Sequence, residues 1–354
     1  MSVRFDVDVA VIGAGIVGCL AARTISARAP EFSVVVLDRD AVGSGASRRS
    51  AGLHLPRGAT ARVRRMARSS QYYYERLAEA VPALPIHPVR MSVLASTASA
   101  PRLRETYLDS ARLTPAADVP GGDVQVPDGM ACWSGGGSQY ADVGALTEAL
   151  ARELRPHADI REGVAVAAVD AADDHVVLRL STGEALTARR VVLAPGPWHA
   201  GPAWRDLVAP LGARVKRVVA LHIERPPTAD DPVVVFDDED AFLLPLADRG
   251  HWLYSYTCTD WDVDPDAPAY GLSPADVDRA RECLSRYAPK LLDQCTSGRV
   301  FCDAYSRTGE PQVQALDDAG RVVFAGAANG SGYRLAPAIA SQAADLLHLP
   351  RSQP

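Results

Sequence analysis

The sequence predicts an α/β fold with a second, mainly antiparallel-sheet part, on three observations. A strand, a glycine-rich turn, a helix and another strand follow one another within residues 7–38. Two more short apolar runs, 190–194 and 321–325, have the composition of buried strands. Between them, residues 214–260 alternate as the strands of an antiparallel sheet do.

The elements follow in order. VDVAVI at 7–12 is a buried strand, and the helix after the glycines runs to about Ala29, where Pro30 stops it. SVVVL at 33–37 is the second strand. Residues 43–58 form a Gly/Ser/Arg loop, and a helix covers 60–80, ending before Pro82. The stretch 81–142 is mixed, with one strand at 89–95. An amphipathic helix at 143–155 and a strand at 163–169 precede a hairpin that turns at Thr182-Gly183. Strands are expected at 217–223, 233–236, 241–246 and 251–257. Ser273 and Pro274 mark a helix start over 273–287. After the strand at 321–325, a glycine-rich loop leads to a final helix from about Ala336 to Leu347. No repeat or low-complexity linker interrupts the chain.

Composition narrows the function classes. The chain has 354 residues, 47% hydrophobic and 23% charged, with a net charge of −6, an ordinary globular balance without the basic footprint of a nucleic-acid binder. The arginines from Arg57 to Arg68 fall at helical spacing and read as a solvated helix face. No apolar run reaches the ~18 residues of a membrane span, since Gly13, Gly15 and Gly18 break up 9–22. The start lacks the marks of a secretory signal, so the expectation is a cytoplasmic chain without membrane partners. Cys19, Cys132, Cys258, Cys283, Cys295 and Cys302 form no C-x-x-C pair and read as reduced thiols. Lys216 and Lys290 are the only lysines, which leaves two candidates for a catalytic one.

The sharpest motif is Gly13-x-Gly15-x-x-Gly18, set directly after a strand and opening a helix. Its glycines serve a tight turn, close backbone approach to a pyrophosphate, and close helix–strand packing. The helix start offers free N–H groups to phosphates. Asp38 stands 20 residues after Gly18, at the end of the second strand, where a carboxylate accepts from an adenosine ribose. This is a Rossmann-type dinucleotide site. The motif alone does not separate NAD from FAD.

Four patches carry a family resemblance: DVAVIGAGIVG at 8–18, GASRRSAG at 45–52, RVVLAPGPW at 190–198, and AGAANGSGYRLAPAI at 325–339. In this order and spacing the chain resembles the D-amino-acid oxidase (DAO) family of FAD-dependent oxidoreductases, which includes glycine oxidase and sarcosine oxidase. The resemblance implies a Rossmann-type FAD-binding domain assembled from 1–80, 143–213 and 300–350, and a substrate-binding domain from 81–142 and 214–299. It implies FAD contacts from Gly13, Gly15, Ile16, Val17 and Gly18, then Asp38 and Arg39. The loop under the flavin would add Ala46, Ser47, Arg49, Ser50, Ala51 and Gly52. Val166, with Val164 nearby, would hold the adenine by main chain, and Ala194, Gly196 and Trp198 would follow. Gly326, Asn329, Gly330, Ser331, Gly332, Tyr333, Arg334 and Leu335 would complete the cradle. The N–H groups of Gly330 and Gly332 before a helix suit the reduced, anionic flavin. Some relatives tether flavin through a cysteine in a C-x-Y context, or through a histidine near the small-residue loop. Cys302-Asp303-Ala304-Tyr305 has one residue too many and Arg49 stands near the histidine's place, so non-covalent FAD is expected.

The family chemistry passes a hydride from the substrate Cα to flavin N5. The imine is hydrolysed, and O2 reoxidises the flavin with release of hydrogen peroxide. The protein's task is then orientation. A substrate carboxylate suits an arginine fork, and the resemblance offers Arg334 and Arg307. Tyr254 and Tyr256 share one strand face by the period-2 rule and would close the pocket; His54 would line it. A small amino acid or N-substituted glycine fits best. Two alternatives are a flavin dehydrogenase of a 2-hydroxy acid or cyclic imino acid that passes electrons to a carrier, and a non-catalytic nucleotide-binding protein.

Overall fold

Five parallel strands form the centre of the first sheet, in the order 322–326, 185–193, 7–12, 34–37, 159–161. The computed structural model describes residues 5–267 and 271–349. Residues 1–4, 268–270 and 350 of the expected domain segments lie outside them. An antiparallel strand at Gln312–Ala315 extends one edge, and the hairpin Val166–Ala171 and Val176–Leu180 pairs onto 185–193. The central strands are near-continuous valine, isoleucine and leucine because both sheet faces are covered.

Helix Ile16–Arg28 starts where the glycines predicted. A Cβ on Gly18 would lie 1.8 Å from the Gly13 carbonyl oxygen, and one on Gly13 would lie 2.3 Å from the Ala194 oxygen. Only glycine lets the helix and the neighbouring strand close this tightly.

The second sheet has the order 295–305, 214–223, 251–256, 241–246, 233–236, 86–96, 130–141, 53–54. Its neighbours are antiparallel, except that 233–236 runs parallel to 86–96. One face packs under helix Pro274–Tyr287, with Val219, Leu221, Leu243 and Tyr254 against Ala280, Leu284 and Tyr287. The opposite face looks toward the first sheet. Ser273 caps that helix in a reciprocal box with Asp276.

Several expectations shift. The final helix spans Gly332–Leu346 and starts four residues before Ala336. Pro337 lies inside it and has no N–H for the Tyr333 carbonyl. The Tyr74 hydroxyl donates to that carbonyl instead, at 2.7 Å, so the turn holds. The loop 43–58 contains a short helix, Ala46–Arg49, and a strand, Leu53–His54, that joins the second sheet. The stretch 81–142 holds a twelve-residue strand, Met130–Ala141, whose glycines hid it. Cys295–Tyr305 is a long strand of the second sheet that extends past residue 300. Arg57 lies ahead of the helix, which Thr60 caps at Ala61, so it is no part of a solvated helix face; it is ion-paired to the buried Asp237 at 3.1 Å.

Candidate flavin and substrate site

A cavity of about 690 Å³ lies between the two sheets. One wall is the glycine turn, Asp38, the small-residue segment 43–52, residues 194–198 and the loop 325–335. The other is the inner face of the second sheet, with Lys216, Val218, Ala220, Phe242, Ser255 and Asp303.

Two helices begin at this cavity, and in neither does the residue just before the helix cap it with its own side chain. The first follows Gly15 and the second follows Ser331. The Ser47 hydroxyl accepts from the Ile16 N–H at 3.0 Å, which ties the small-residue segment to the first start. Uncapped N–H groups and the positive dipole end suit a pyrophosphate at one helix and an electron-rich ring edge at the other. Asp38 Oδ2 accepts from the Ala14 N–H at 2.6 Å and Oδ1 from the Asp40 N–H at 2.9 Å. Burial raises the Asp38 carboxyl above its ordinary range, against the pull of those two N–H groups. The donor set fits FAD, with Gly13, Gly15 and Asp38 toward the adenosine diphosphate half and residues 330–335 toward the ring.

Of the expected FAD contacts, all but two line the cavity: Gly13, Gly15, Ile16, Val17, Asp38, Arg39, Ala46, Ser47, Ser50, Ala51, Gly52, Val166, Ala194, Gly196, Trp198, Gly326, Asn329 and the run Gly330–Leu335 do so. Gly18 does not, because it serves the helix–strand contact. Arg49 does not either. Ser47 is the inward residue of its short helix, while Arg49 is exposed and donates to the Ser44 carbonyl. Cys302 alternates with Asp303 and shares the outer face with its register partner Arg217.

The catalytic candidates divide. Arg334 lines the cavity, donating to the Arg57 carbonyl at 2.5 Å and to the Ser331 hydroxyl at 2.9 Å. Burial first, then the like charge of Arg57, lowers its guanidinium to about 10, so it stays protonated at neutral pH. Arg307 does not reach the cavity; it is exposed beyond the end of strand Cys295–Tyr305 and lies over Gly212. Tyr254 is fully buried on the outer face, beside Cys283 of the covering helix. Tyr256 shares that face and its hydroxyl donates to Asp276, although the residue touches the cavity rim. The period-2 rule paired the tyrosines correctly; the face they share is the one under the helix, and only Tyr256 reaches the cavity. His54 is fully buried and turns edge-on to Tyr74 in the core. Burial, reinforced by Arg334, lowers its imidazole to about 3, so it is neutral and away from the cavity.

Sequence reasoning missed three cavity residues, Arg57, Asp303 and Asp266, and left a fourth, Lys216, as one of two candidate lysines without a place. Arg57 was hidden in the basic stretch. Lys216 is 7% exposed and lies 5.0 Å from the ring centres of both Trp261 and Tyr305. The scarcity of lysine had narrowed the choice to Lys216 and Lys290, and only Lys216 lines the cavity. Asp303 faces inward opposite Lys216, and burial raises it to about 6. Asp266 reaches Arg39 from a distant loop, and nothing in the sequence announces that contact.

The chain matches the DAO family, described as FAD dependent oxidoreductase, over residues 8–346. Among solved structures, glycine oxidase from Bacillus cereus is similar at 16% identity and a TM-score of 0.77, covering 97% of this chain and 95% of that one. L-amino acid deaminase from Proteus vulgaris, with its specific insertion deleted, gives 16% and 0.78 over 98% and 91%. L-proline dehydrogenase from P. horikoshii gives 15% and 0.78 over 98% and 94%. No curated protein sequence matches. No helix among the described residues is long and apolar enough to cross a membrane. With the family match spanning nearly the whole chain and a cavity fitted to its cofactor, this protein belongs to the DAO family of FAD-dependent oxidoreductases.

Proposed function

We propose that the protein oxidises the C–N bond of a small amino acid or an N-substituted glycine and uses O2 as the electron acceptor. The observation that carries this reading is Arg334, a guanidinium turned into the cavity beside Arg57, of like sign, and the neutral Tyr107 phenol. A partly buried cation without a carboxylate partner is costly unless a ligand anion completes it. The Arg334 fork is suited to fix the substrate carboxylate, and Arg57 adds positive potential beside it. Val218, Ala220 and Phe242 offer an apolar floor that excludes water around the Cα–H bond. FAD, when bound, supplies the two-electron acceptor whose reduced form returns its electrons to O2 as hydrogen peroxide. The substrate leaves as an imine, and water converts it to the oxo acid and the free amine. No general base is assigned, because the neutral substrate amine supplies the electronic push.

The test is anaerobic addition of glycine, sarcosine and longer N-alkylglycines to the purified holoprotein, followed by admission of air. Bleaching of the visible flavin bands by one amine, with oxygen uptake and peroxide on return to air, is the expected result. Bleaching only by a 2-hydroxy acid, or reoxidation only by an added electron carrier, would replace this reading with a dehydrogenase.

A further inference from the structure

The segment that joins strand His251–Tyr256 to helix Pro274–Tyr287 is fastened at two places. Its first half is tied to its own sheet. Asp262 N–H donates to the Val215 carbonyl, Arg214 pairs with Asp262, and Trp261 bridges to Lys216. Its second half leaves that sheet and meets the FAD side. Asp266 takes both guanidinium arms of Arg39, at 2.5 and 3.2 Å, and accepts from Trp198 Nε1 at 2.7 Å. The Arg39 guanidinium lies 4.5 Å from the centre of the Trp198 ring. Arg39, Trp198 and Asp266 all line the cavity, next to Asp38 at its adenosine end. Three residues from distant parts of the chain thus close on one another, and one carboxylate makes two of the three contacts.

We propose that residues 264–267 form a latch, with Asp266 as its catch, that sets the rate at which FAD enters and leaves the cavity. Every contact that Asp266 makes in the latch joins protein to protein. Loosening it therefore lowers the barrier in both directions and leaves the equilibrium affinity in place. Asp266 and Arg39 are each about half exposed, which makes the pair weak and sensitive to salt.

The test measures FAD release from the diluted holoprotein, and FAD uptake by the apoprotein, from flavin fluorescence. Asp266→Ala is expected to raise both rates roughly 3- to 10-fold, the loss of one exposed ion pair and one hydrogen bond from Trp198, with the Kd within about twofold. Asp266→Asn should fall between it and the wild type. Raising the salt should speed release from the wild type and leave Asp266→Ala unmoved. Asp262→Ala, which frees the other half of the same segment, should leave both rates alone. Three results would each overturn the proposal: unchanged rates in Asp266→Ala, faster release with a matching loss of affinity (Asp266 would then be an FAD contact), or the same acceleration in Asp262→Ala.

Discussion

Two neighbouring residues on one strand, Lys216 and Arg217, meet opposite surroundings. Arg217 points to the outer face, where Asp276 takes it at 2.7 and 2.5 Å and Asp260 at 3.1 Å. Asp276 also accepts from the Ser273 N–H and hydroxyl, both at 2.8 Å. On the inner face, Lys216 has two aromatic rings for company, and Asp303 is held by the Ala304 and Gly330 N–H groups. No ion pair forms at either among the described residues, and Arg334 across the cavity is in the same condition. Paired charges on the outer face build the sheet-to-helix joint. Unpaired charges on the inner face carry a standing desolvation cost, and a bound partner relieves it. The contrast separates architecture from site more sharply than the residue types do.

If the outer face is architecture, breaking it should cost stability and spare the chemistry. Asp276→Asn leaves Arg217 with Asp260 alone and weakens the helix cap. About 3 kcal/mol or more should be lost in urea unfolding of the holoprotein, with kcat within twofold. Arg217 holds the Asp276 carboxyl far below the usual carboxylate range. A depressed carboxylate contributes stability above its unfolded value, near 4, and loses it as pH falls further. The variant should therefore lack part of the wild type's decline in acid. On the inner face the effect should reverse. Arg334→Met should lower kcat/KM by roughly 30- to 1000-fold, about 2–4 kcal/mol, with FAD content and unfolding midpoint little changed. A variant that turns over normally would move the carboxylate clamp elsewhere, and Arg57 would be the next candidate.

The same contrast explains what could be read in advance. The FAD side is built by backbone, and backbone demands leave local marks. Gly13 and Gly18 sit where a Cβ would strike a carbonyl, and both helix starts follow glycine-rich runs, so short motifs located nearly every residue that lines this side of the cavity. The substrate side is built by side chains whose partners are far apart in sequence. Period-2 alternation could group Tyr254 with Tyr256, but nothing local says which face a helix will cover; that is fixed by residues 274–287. Arg49 falls outside the cavity lining for a related reason. The four-residue helix presents Ala46 and Ser47 to the cavity and turns Arg48 and Arg49 out, and the motif does not say which. The strand Met130–Ala141 was hidden because Gly135, Gly136 and Gly137 resemble a turn, whereas a Cβ on Gly135 would meet Leu113, the Ala111 oxygen and Met91 within 3 Å.

Asp303 sharpens the comparison with Asp276 because the two titrate in opposite senses. Burial raises Asp303 to about 6, above the value near 4 of an unfolded chain. Between those values the folded protein holds a proton that the unfolded chain has released. Stability from this group is therefore full below pH ~4 and falls as pH rises to about 6, where the cost of burying the charge is complete. Asp303→Asn should remove that fall. Its stability relative to the wild type should climb by up to about 2 kcal/mol from pH 4 to 6, then level off. A difference that is flat across this range would mean that the folded carboxyl is already paired, and the inner face would lose one of its unpaired charges.

The smallest expected effect tests the assignment of faces itself. Tyr254 is fully buried on the outer side, with its ring 6.1 Å from that of Tyr256 and its hydroxyl end near Cys283. Tyr254→Phe keeps the packed ring and removes one oxygen, so stability should change by no more than about 1 kcal/mol. Because the oxygen points away from the cavity, kcat/KM for any substrate that bleaches the flavin should stay within twofold, in steady-state and anaerobic half-reactions alike. A loss of tenfold or more would require the hydroxyl to reach the substrate. The alternation of strand His251–Tyr256 would then be inverted, Ser255 would face the helix, and the division of this sheet into a structural and a chemical face would fail at its centre.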